Sequence, residues 1–378
     1  MVITARPSYS RIKTALKAIS NNANLELQLV LAASTLLDKY GNVSQEIERD
    51  NFNIAGRVYM VIEGENLVTS AKTVGIGLIE LATVFDNLKP DVVVTIADRY
   101  ETMSTALAAV NMNIPLVHVQ GGEVSGSIDE KIRHAVTKLA DYHFAATDMA
   151  KERIIRMGED KSRVFMTGCP SIDLARDIWS NSELDFDPVD KYSGVGYEVD
   201  MSEGYIIVMQ HPVTTEYPEA RRQVNETLEA VKQIGIQTFW FWPNVDAGSD
   251  MISKGIRSFR EIKKPRNIHF FKNFTPEDFL KLLYNSKGIV GNSSVAIREC
   301  SFLGVPAVNI GSRQSGREYG KNVINIGYNC SEIVNAINKH LRNGRYPSEK
   351  IYGDGKAGKR IADLLEQLEM SIKKRITY

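Results

Sequence analysis

The chain has 378 residues, of which 43% are hydrophobic and 24% charged, and its 46 basic residues balance its 46 acidic ones. This length exceeds what one hydrophobic core usually supports, so we expect two domains, and the neutral balance excludes a protein that binds nucleic acid or an anionic membrane through bulk charge. Because the three cysteines form no CxxC pair and no stretch has the roughly 18 consecutive apolar residues of a membrane span, we expect a soluble protein of the reducing cytoplasm.

Short β-branched runs alternate with amphipathic segments in the first half of the chain. The predicted strands are LELQLVLA, RVYMVIE, DVVVTIA, IPLVHV, YHFAAT and RVFMTG, with helices around 14–19 and 74–88. This βαβ order predicts a parallel sheet covered by helices on both faces, with right-handed crossovers. It defines a first domain over residues 1–175.

A polar, acidic stretch, NSELDFDPVDKYSGVGYEVDMSEG at 181–204, interrupts the pattern and predicts a linker or peripheral loop. A second βα series follows, with strands YIIVMQ, TFWFWP, NIHFF, GIVGN, AVNIG and VINIG and helices around 219–234, 276–285, 295–303 and 331–341. We therefore expect a second doubly wound domain over residues 200–356. In such sheets ligands bind beyond the carboxyl ends of the strands, so we expect the active site in a cleft between the two domains.

The residues that directly follow the strands carry the chemistry in this architecture. They are Arg6 and Ser10 at a helix start, Asp98, Arg99 and Glu101 after DVVVTIA, and, in the second domain, His211, Asn244, Ser293, Ser294, Arg313 and Arg317. Taken singly, the arginines could be surface charges and the serines plain helix caps. Their coincidence at successive strand ends predicts a ligand with a diphosphate, because arginines and helix N-termini both attract anions.

The stretch LVHVQGGEVSGSIDEKIRH, residues 116–134, is dense in ionisable residues. It lacks the Lys-Ser/Thr of a Walker phosphate loop and shows no HExxH or facial-triad spacing, so neither a phosphate loop nor a metal site is indicated. Its second half predicts a helix with a buried stripe of Ile128, Ile132, Val136 and Leu139.

Two interpretations of this helix stay open. Asp129 can pair with Arg133, and Glu130 with His134, as ordinary salt bridges between residues four apart. Alternatively, Asp129 and Glu123 lie near Asp98, where carboxylates under mutual repulsion and partial burial exchange protons with a substrate. Carboxylates that face a diphosphate site predict acid/base chemistry on a sugar nucleotide.

The motifs TARPSYSR, ADRYET, HVQGGEVSGSIDEKIRHAVTKLADYHF, TGCPSID, QHPVT and GNSSVAIRE occur in this order over nearly the whole chain. The set resembles the hydrolysing sugar-nucleotide 2-epimerases, which make N-acetylmannosamine or related sugars for sialic and legionaminic acids. The resemblance implies an α/β fold of the glycosyltransferase-B type, with two Rossmann-like domains and a C-terminal helix, here 357–378, that joins the first domain. It also implies a homodimer or homotetramer. We expect no metal and no cofactor.

The resemblance further implies the reaction and the residue roles. The C2 proton of UDP-N-acetylglucosamine or a close analogue is removed while the nucleotide leaves C1, and water and a proton then add to the resulting glycal. Acid/base positions of the family fall on Asp98, Asp129 and Arg133, with His211 also expected at the reaction. Glu123 is a further catalytic candidate, because Gln120 cannot serve as a base. Nucleotide- or substrate-binding positions fall on Arg6, Ser10, Arg99, Gln120, Asn244, Ser293, Ser294, Glu299 and Arg313.

Two departures from the family pattern bear on the substrate. Ala97 stands where members that use N-acetylglucosamine often have glycine, and Gln120 stands where some members carry a glutamate believed catalytic. These variants resemble the branch that handles nucleotides of 2,4-diacetamido-2,4,6-trideoxyglucose (diacetylbacillosamine). The alternatives are a glycosyltransferase of the same fold, a non-catalytic nucleotide-sugar sensor, and a non-hydrolysing 2-epimerase, whose HVEAG-type motif is absent.

Overall fold

The computed structural model describes residues 1–37, 43–64, 66–126, 128–243, 246 and 248–377. The chain divides into two compact units. The first comprises Met1–Val124, Ile128–Leu174 and Tyr352–Tyr378, and the second comprises Ser125–Ser127 and Ala175–Ile351.

The first unit contains two parallel sheets. Its strands are β1 (Val2–Ile3), β2 (Leu29–Ala32), β3 (Ile54–Val58), β4 (Val93–Ile96), β5 (Leu116–Val119), β6 (Tyr142–Ala145) and β7 (Val164–Met166). Its helices up to β7 are α1 (Arg6–Ser20), α2 (Val43–Arg49), α3 (Leu67–Leu88), α4 (Thr102–Asn111), α5 (Asp129–Leu139) and α6 (Asp148–Arg156). The sheet orders are β1-β2-β3 and β4-β5-β6-β7.

Strands β2, β4, β5 and β6 are buried along their whole length, as expected for parallel strands covered on both faces. One hydrophobic core takes residues from both sheets, including Ile3, Leu31, Ile96, Val119 and Phe144. Because β4 and β5 pair in parallel, the residues after them emerge at the same edge of the sheet. This edge carries the candidate site residues Asp98, Arg99 and Gln120 of the first unit.

The elements that follow along the chain are α7 (Ser171–Ser180), α8 (Pro188–Tyr192), β8 (Val195–Gly196), β9 (Tyr205–Met209), α9 (Ala220–Ile234), β10 (Gln237–Phe241), α10 (Ser249–Lys263), β11 (Ile268–Phe271), α11 (Pro276–Asn285), β12 (Gly288–Gly291), α12 (Glu299–Leu303), β13 (Ala307–Ile310), β14 (Val323–Ile326), α13 (Cys330–Asn343) and α14 (Ala357–Gln367). The second unit holds one sheet in the order β14-β13-β12-β9-β10-β11-β8, parallel except for β8. The doubly wound pattern predicted for this half is confirmed, and α11 has the predicted bounds because Thr275 caps it and Pro276 opens it.

Three expectations about individual elements were wrong. The strand predicted over RVYMVIE is β3, which ends at Val58, because its partner β2 stops at Ala32 and the next residue, Ala33, turns away with φ +52°. The predicted linker 181–204 contains α8 and β8, and β8 pairs antiparallel with β11 as an edge strand. The helix predicted over 295–303 is split into a 3₁₀ turn, Ser294–Ala296, and the short α12.

The C-terminal helix α14 packs in the first unit and ends at Gln367, earlier than the range 357–378 expected from the sequence. The carboxylate of Asp173 caps it, accepting hydrogen bonds from the N–H groups of Ala357 (2.8 Å) and Gly358 (2.7 Å). Beyond the helix, the hydroxyl of Tyr142 donates to the carbonyl of Glu369 at 2.9 Å and ties the following segment to β6. The TGCPSID motif thus has a structural role through Asp173.

Candidate active site

Asp98 lies in a sharp turn that directly follows β4. Ala97 has a φ of +65°, in the left-handed region that costs a residue with a Cβ about 1–2 kcal/mol. Its N–H donates to the carbonyl of Val119 at 2.9 Å, which ties the turn to β5. Asp98 is 7% exposed, and its carboxylate forms an ion pair with Arg133 and lies 4.0 Å from Nη1 of Arg11.

Arg133 contacts two of the predicted acid/base residues of the first unit, Asp98 and Glu123. Its guanidinium is completely buried, and besides Asp98 it donates to the backbone carbonyl of Glu123 at 2.9 Å and to Oε2 of Glu130 at 2.7 Å. Burial alone lowers the pKa of Arg133, but the carboxylates of Asp98, Glu123 and Glu130 outweigh it and raise the pKa above its usual value. The structure therefore brings the predicted residues Asp98 and Glu123 together at the buried positive charge of Arg133.

Helix α5 begins at Asp129, where a carboxylate is favoured by the helix dipole. Asp129 is half-buried, and the next residue, Glu130, pairs with Arg133 and accepts from Nε2 of His134 at 2.9 Å. The predicted Glu130–His134 pair is confirmed. The predicted buried stripe is correct for Val136 and wrong for Ile128, which precedes the helix and is exposed.

The predicted anion-binding residues of the first unit follow two strands, Arg6 and Ser10 after β1 and Arg99 after β4. Arg6 is the first residue of α1 and donates to Oε2 of Glu46 at 3.2 Å, and Ser10 lies half-buried in the second turn. Arg99 donates two parallel hydrogen bonds to the carboxylate of Glu101, from Nε to Oε2 at 3.1 Å and from Nη2 to Oε1 at 2.9 Å. Such a fork fixes the plane of the guanidinium.

Gln120 follows β5 with a φ of +66° and is buried. Its N–H donates to the carbonyl of Phe144 at 2.8 Å, and its side-chain amide donates to Sγ of Cys169, 2.8 Å away, which in turn lies 3.0 Å from Oγ of Ser171. The sequence pattern gave no reason to place Cys169 beside Gln120, because the pair joins residues 49 positions apart.

His118 lies on β5, two residues before Gln120, and the sequence pattern assigns it no role. It is completely buried on β5, with Nε2 2.8 Å from the carbonyl of Ala97 and Nδ1 3.1 Å from Oγ1 of Thr137. Burial lowers its pKa to about 3, so the imidazole is neutral near pH 7.

In the second unit Asn292, the residue after β12, connects three strand ends. Its side chain accepts from the N–H of His211 at 2.7 Å and donates to the carbonyl of His211 at 2.8 Å. Its own carbonyl accepts from Nη1 of Arg313 at 3.3 Å and from Nε2 of Gln314 at 2.8 Å. The structure therefore brings the predicted residues His211 and Arg313 together through a buried asparagine that the sequence analysis missed, although GIVGN places it at a strand end.

The serines and Glu299 lie next along the chain. Ser293 caps the 3₁₀ turn, its hydroxyl accepting from the N–H of Val295 at 3.4 Å, and Ser294 is the first residue of that turn. Glu299 is 5% exposed, and within the part of the chain that the structure describes its Oε2 has no hydrogen-bond partner. A buried carboxylate oxygen in this state is suited to accept from a hydroxyl of a ligand. Asn244 lies outside the described residues.

No group of three His, Cys, Asp or Glu side chains among the described residues has the arrangement of a metal site. Each unit by itself has ion pairs, helix or turn starts and carboxylates close to strand ends, and such groups suit phosphate and hydroxyl groups of a ligand.

The fold is an α/β fold of the glycosyltransferase-B type, with Rossmann-like sheets in both units. The chain superposes on a solved UDP-GlcNAc 2-epimerase of Methanocaldococcus jannaschii, in complex with UDP-GlcNAc and UDP, with a TM-score of 0.79 and 21% identity over 96% of this chain and 98% of that one. The profile of the UDP-N-acetylglucosamine 2-epimerase family matches residues 17–366.

Two curated relatives extend this similarity. A UDP-N,N'-diacetylbacillosamine 2-epimerase (hydrolyzing) of Legionella pneumophila is 32% identical over 98% of this chain and 95% of its own length. A UDP-N-acetylglucosamine 2-epimerase of Neisseria meningitidis is 29% identical over 93% of this chain and 89% of its own. The chain therefore belongs to the UDP-N-acetylglucosamine 2-epimerase family, and the expected enzyme of hydrolysing 2-epimerase type is confirmed.

Proposed function

We propose that the protein is a hydrolysing sugar-nucleotide 2-epimerase. It converts UDP-N-acetylglucosamine, or a UDP- or GDP-linked diacetylbacillosamine, and water into the free 2-epimeric sugar and a nucleoside diphosphate. The observation that carries the proposal is the buried Asp98–Arg133 pair, closed by the backbone of Glu123, in a chain whose family performs 2-epimerisation.

The chemistry needs three things from the protein. A base removes the weakly acidic C2 proton while the diphosphate leaves C1, positive groups stabilise the departing diphosphate, and an acid returns a proton to the opposite face of C2 after water adds to C1. Asp98, Glu123 and Asp129 are our candidates for the two proton transfers. Arg133 fixes the orientation of the Asp98 carboxylate, so that the group is held in place before substrate binds.

The nucleotide contacts are proposed from the second group of residues. Ser293 and Ser294 offer hydroxyl and N–H donors to phosphate oxygens, and Arg313 and His211 add donors beside them. Glu299 accepts from the ribose hydroxyls, which the lack of a partner for its buried Oε2 among the described residues supports. Further nucleotide or substrate contacts are proposed for Arg6, Ser10, Arg99, Gln120 and Asn244.

The preferred sugar is proposed to be the diacetylbacillosamine nucleotide. The named activity of the Legionella relative supports this choice, as do Ala97 and Gln120 in place of the family's more usual residues. The product would then serve synthesis of legionaminic or sialic acids.

Parallel assays of the three nucleotide sugars test the substrate and the reaction type together. We expect release of nucleoside diphosphate with each turnover and a free manno-type sugar, fastest with a diacetylbacillosamine nucleotide. A product that keeps its nucleotide would identify a non-hydrolysing 2-epimerase. Release of nucleotide only when an acceptor is added would identify a glycosyltransferase, and binding without turnover would identify a sensor.

We also propose a homo-oligomer in the cytoplasm, a homodimer or homotetramer, with α3 at a subunit interface. Among the described residues α3 is the one helix long and apolar enough to cross a membrane, and Ile79 at its centre is 68% exposed. In an antiparallel pairing centred on Ile79, Lys72 of one copy faces Asp86 of the other, which gives opposite charges at both ends.

Light scattering of the wild type and of Ile79→Glu tests this interface. We expect a dimer or tetramer for the wild type and a smaller species for Ile79→Glu with its thermal stability retained. Wild-type protein that is monomeric and sediments with phospholipid vesicles through α3 would contradict the proposal.

A further inference from the structure

We propose that His118 is a positioning residue of the active site, whose imidazole fixes the backbone carbonyl of Ala97 and thereby sets where Asp98 presents its carboxylate. The inference rests on the 2-epimerase function proposed above, since it assumes that Asp98 acts in that reaction. His118 itself is buried on β5 and transfers no proton in this account.

The backbone at Ala97 needs support because its φ of +65° is unfavourable for a residue with a Cβ. Two hydrogen bonds hold it in this conformation. Its N–H donates to Val119 at 2.9 Å, and its carbonyl accepts from Nε2 of His118 at 2.8 Å. Loss of the imidazole removes one of these two supports and lets the peptide between Ala97 and Asp98 relax toward an ordinary conformation.

The carbonyl of Ala97 sets the tautomer of His118, and Thr137 of α5 is the partner of the other ring nitrogen. Since the carbonyl of Ala97 can only accept, Nε2 carries the proton, and Nδ1 accepts from the hydroxyl of Thr137 at 3.1 Å. Burial holds the pKa of the ring at about 3, so this neutral form persists through the physiological range.

The same helix therefore supports the turn after β4 at two points. Arg133 and Thr137 are four residues apart, on one face of α5, and both are completely buried. Arg133 holds the carboxylate of Asp98, and Thr137, through His118, holds the carbonyl one residue earlier. Anchoring both backbone and side chain to one rigid element keeps a catalytic group in its productive position.

Substitution of His118 by asparagine and by glutamine separates positioning from packing. The amide nitrogen in His118→Gln reaches the place of Nε2 and still donates to Ala97, whereas in His118→Asn it reaches only the place of Nδ1. We expect kcat to fall roughly 10- to 100-fold in His118→Asn, the effect of a misplacement of about 1 Å, with KM changed by less than about threefold. The loss in His118→Gln should be several-fold smaller.

Ala97→Gly provides a rescue, because glycine adopts a positive φ without a Cβ clash. We compare the fold-loss in kcat that His118→Asn causes in the two backgrounds. In the Ala97→Gly background this loss should be at least roughly fivefold smaller than in the native background, since the two changes act on one turn and are not additive.

His143→Asn is the matched control. His143 is the register partner of His118 on β6 and is equally buried, but its Nε2 contacts Oε2 of Glu159 at 3.0 Å and not the turn after β4. Per folded molecule, its kcat should stay within about twofold of wild type, because it shares no partner with Asp98.

Equal losses in His118→Asn and His143→Asn, or no rescue by Ala97→Gly, would overturn the proposal. Nitrogen NMR of the labelled imidazole provides a readout that needs no turnover: we expect the Nε2–H tautomer from about pH 5 to pH 8, and an Nδ1–H tautomer would also overturn it. A wild-type protein that forms no 2-epimer would instead refute the proposed function, so the two failures are distinguishable.

Discussion

Replacing Arg133 with methionine removes one partner of a buried ion pair with Asp98, together with the hydrogen bonds that Arg133 donates to the carbonyl of Glu123 and to the half-buried carboxylate of Glu130. The side chain of Arg133 is 1% exposed and that of Asp98 is 10% exposed, and the carbonyl of Glu123 and the carboxylate of Glu130 share the same guanidinium. Breaking a buried ion pair by removal of one partner costs about 3–5 kcal/mol. In a unit of this size each kcal/mol lowers Tm by about 2–4 °C, so we expect Arg133→Met to lower the Tm of the first unit by roughly 6–20 °C.

Arg57→Met is the control for this experiment. Nη2 of Arg57 lies 2.7 Å from Oε1 of Glu48, but the two side chains are 42% and 50% exposed. An exposed pair contributes less than about 1 kcal/mol, so Tm should fall by less than about 4 °C. Calorimetry at neutral pH measures both variants.

The double variant Asp98→Asn with Arg133→Met tests the cause of the loss. The double variant no longer buries the charge of Asp98 without the compensating charge of Arg133, so it should be more stable than Arg133→Met alone. A fall in Tm for Arg133→Met no larger than for Arg57→Met, or a further fall in the double variant, would refute the reasoning about the buried pair.

Three further predictions concern single carboxylates. Asp129→Asn should reduce turnover at least roughly 100-fold while UDP binding measured by calorimetry is largely kept, and turnover that survives would make Asp129 structural. Glu299→Gln should weaken UDP binding roughly 10- to 100-fold, because a charged acceptor for the ribose hydroxyls is lost, and an unchanged Kd would remove Glu299 from the site. Burial alone raises the pKa of Glu159, but hydrogen bonds from His143 and two lysines outweigh it and lower the pKa to about 2. The ionised Glu159 therefore stabilises the fold fully above pH 4.5, the ordinary pKa, and this stabilisation is lost as the pH falls from there toward 2. The Tm difference between wild type and Glu159→Gln should shrink over that pH window. A Tm difference that stays constant would contradict this prediction.

The strands and most helices could be predicted because their signals are local. Continuous apolar runs such as YIIVMQ reflect burial on both faces of a parallel sheet, and the Thr275–Pro276 cap marks the start of α11 without reference to the rest of the chain. The edge strand β8 was missed because it is two residues long, is exposed, and depends on its partner β11.

The positions of the candidate residues at strand ends could be predicted from the sequence, but the partners of these residues could not. Asp98 and Arg133 are 35 positions apart, and only the parallel pairing of β4 with β5, followed by α5, brings them into contact. Asn292 bonds to the backbone of His211, and His118 bonds to the backbone of Ala97. Every residue has these backbone groups, so the sequence does not show which one is the partner. The positive φ of Ala97 is likewise a tertiary effect, since alanine by itself disfavours it.

Proton NMR of the turnover in deuterated water tests the central claim most directly. The purified protein is incubated with UDP-N-acetylglucosamine or a diacetylbacillosamine nucleotide. We predict free manno-type sugar with deuterium at C2, together with nucleoside diphosphate, because the C2 proton is removed and replaced from solvent. A free sugar that keeps its original hydrogen at C2, with the configuration of the substrate, would contradict the account.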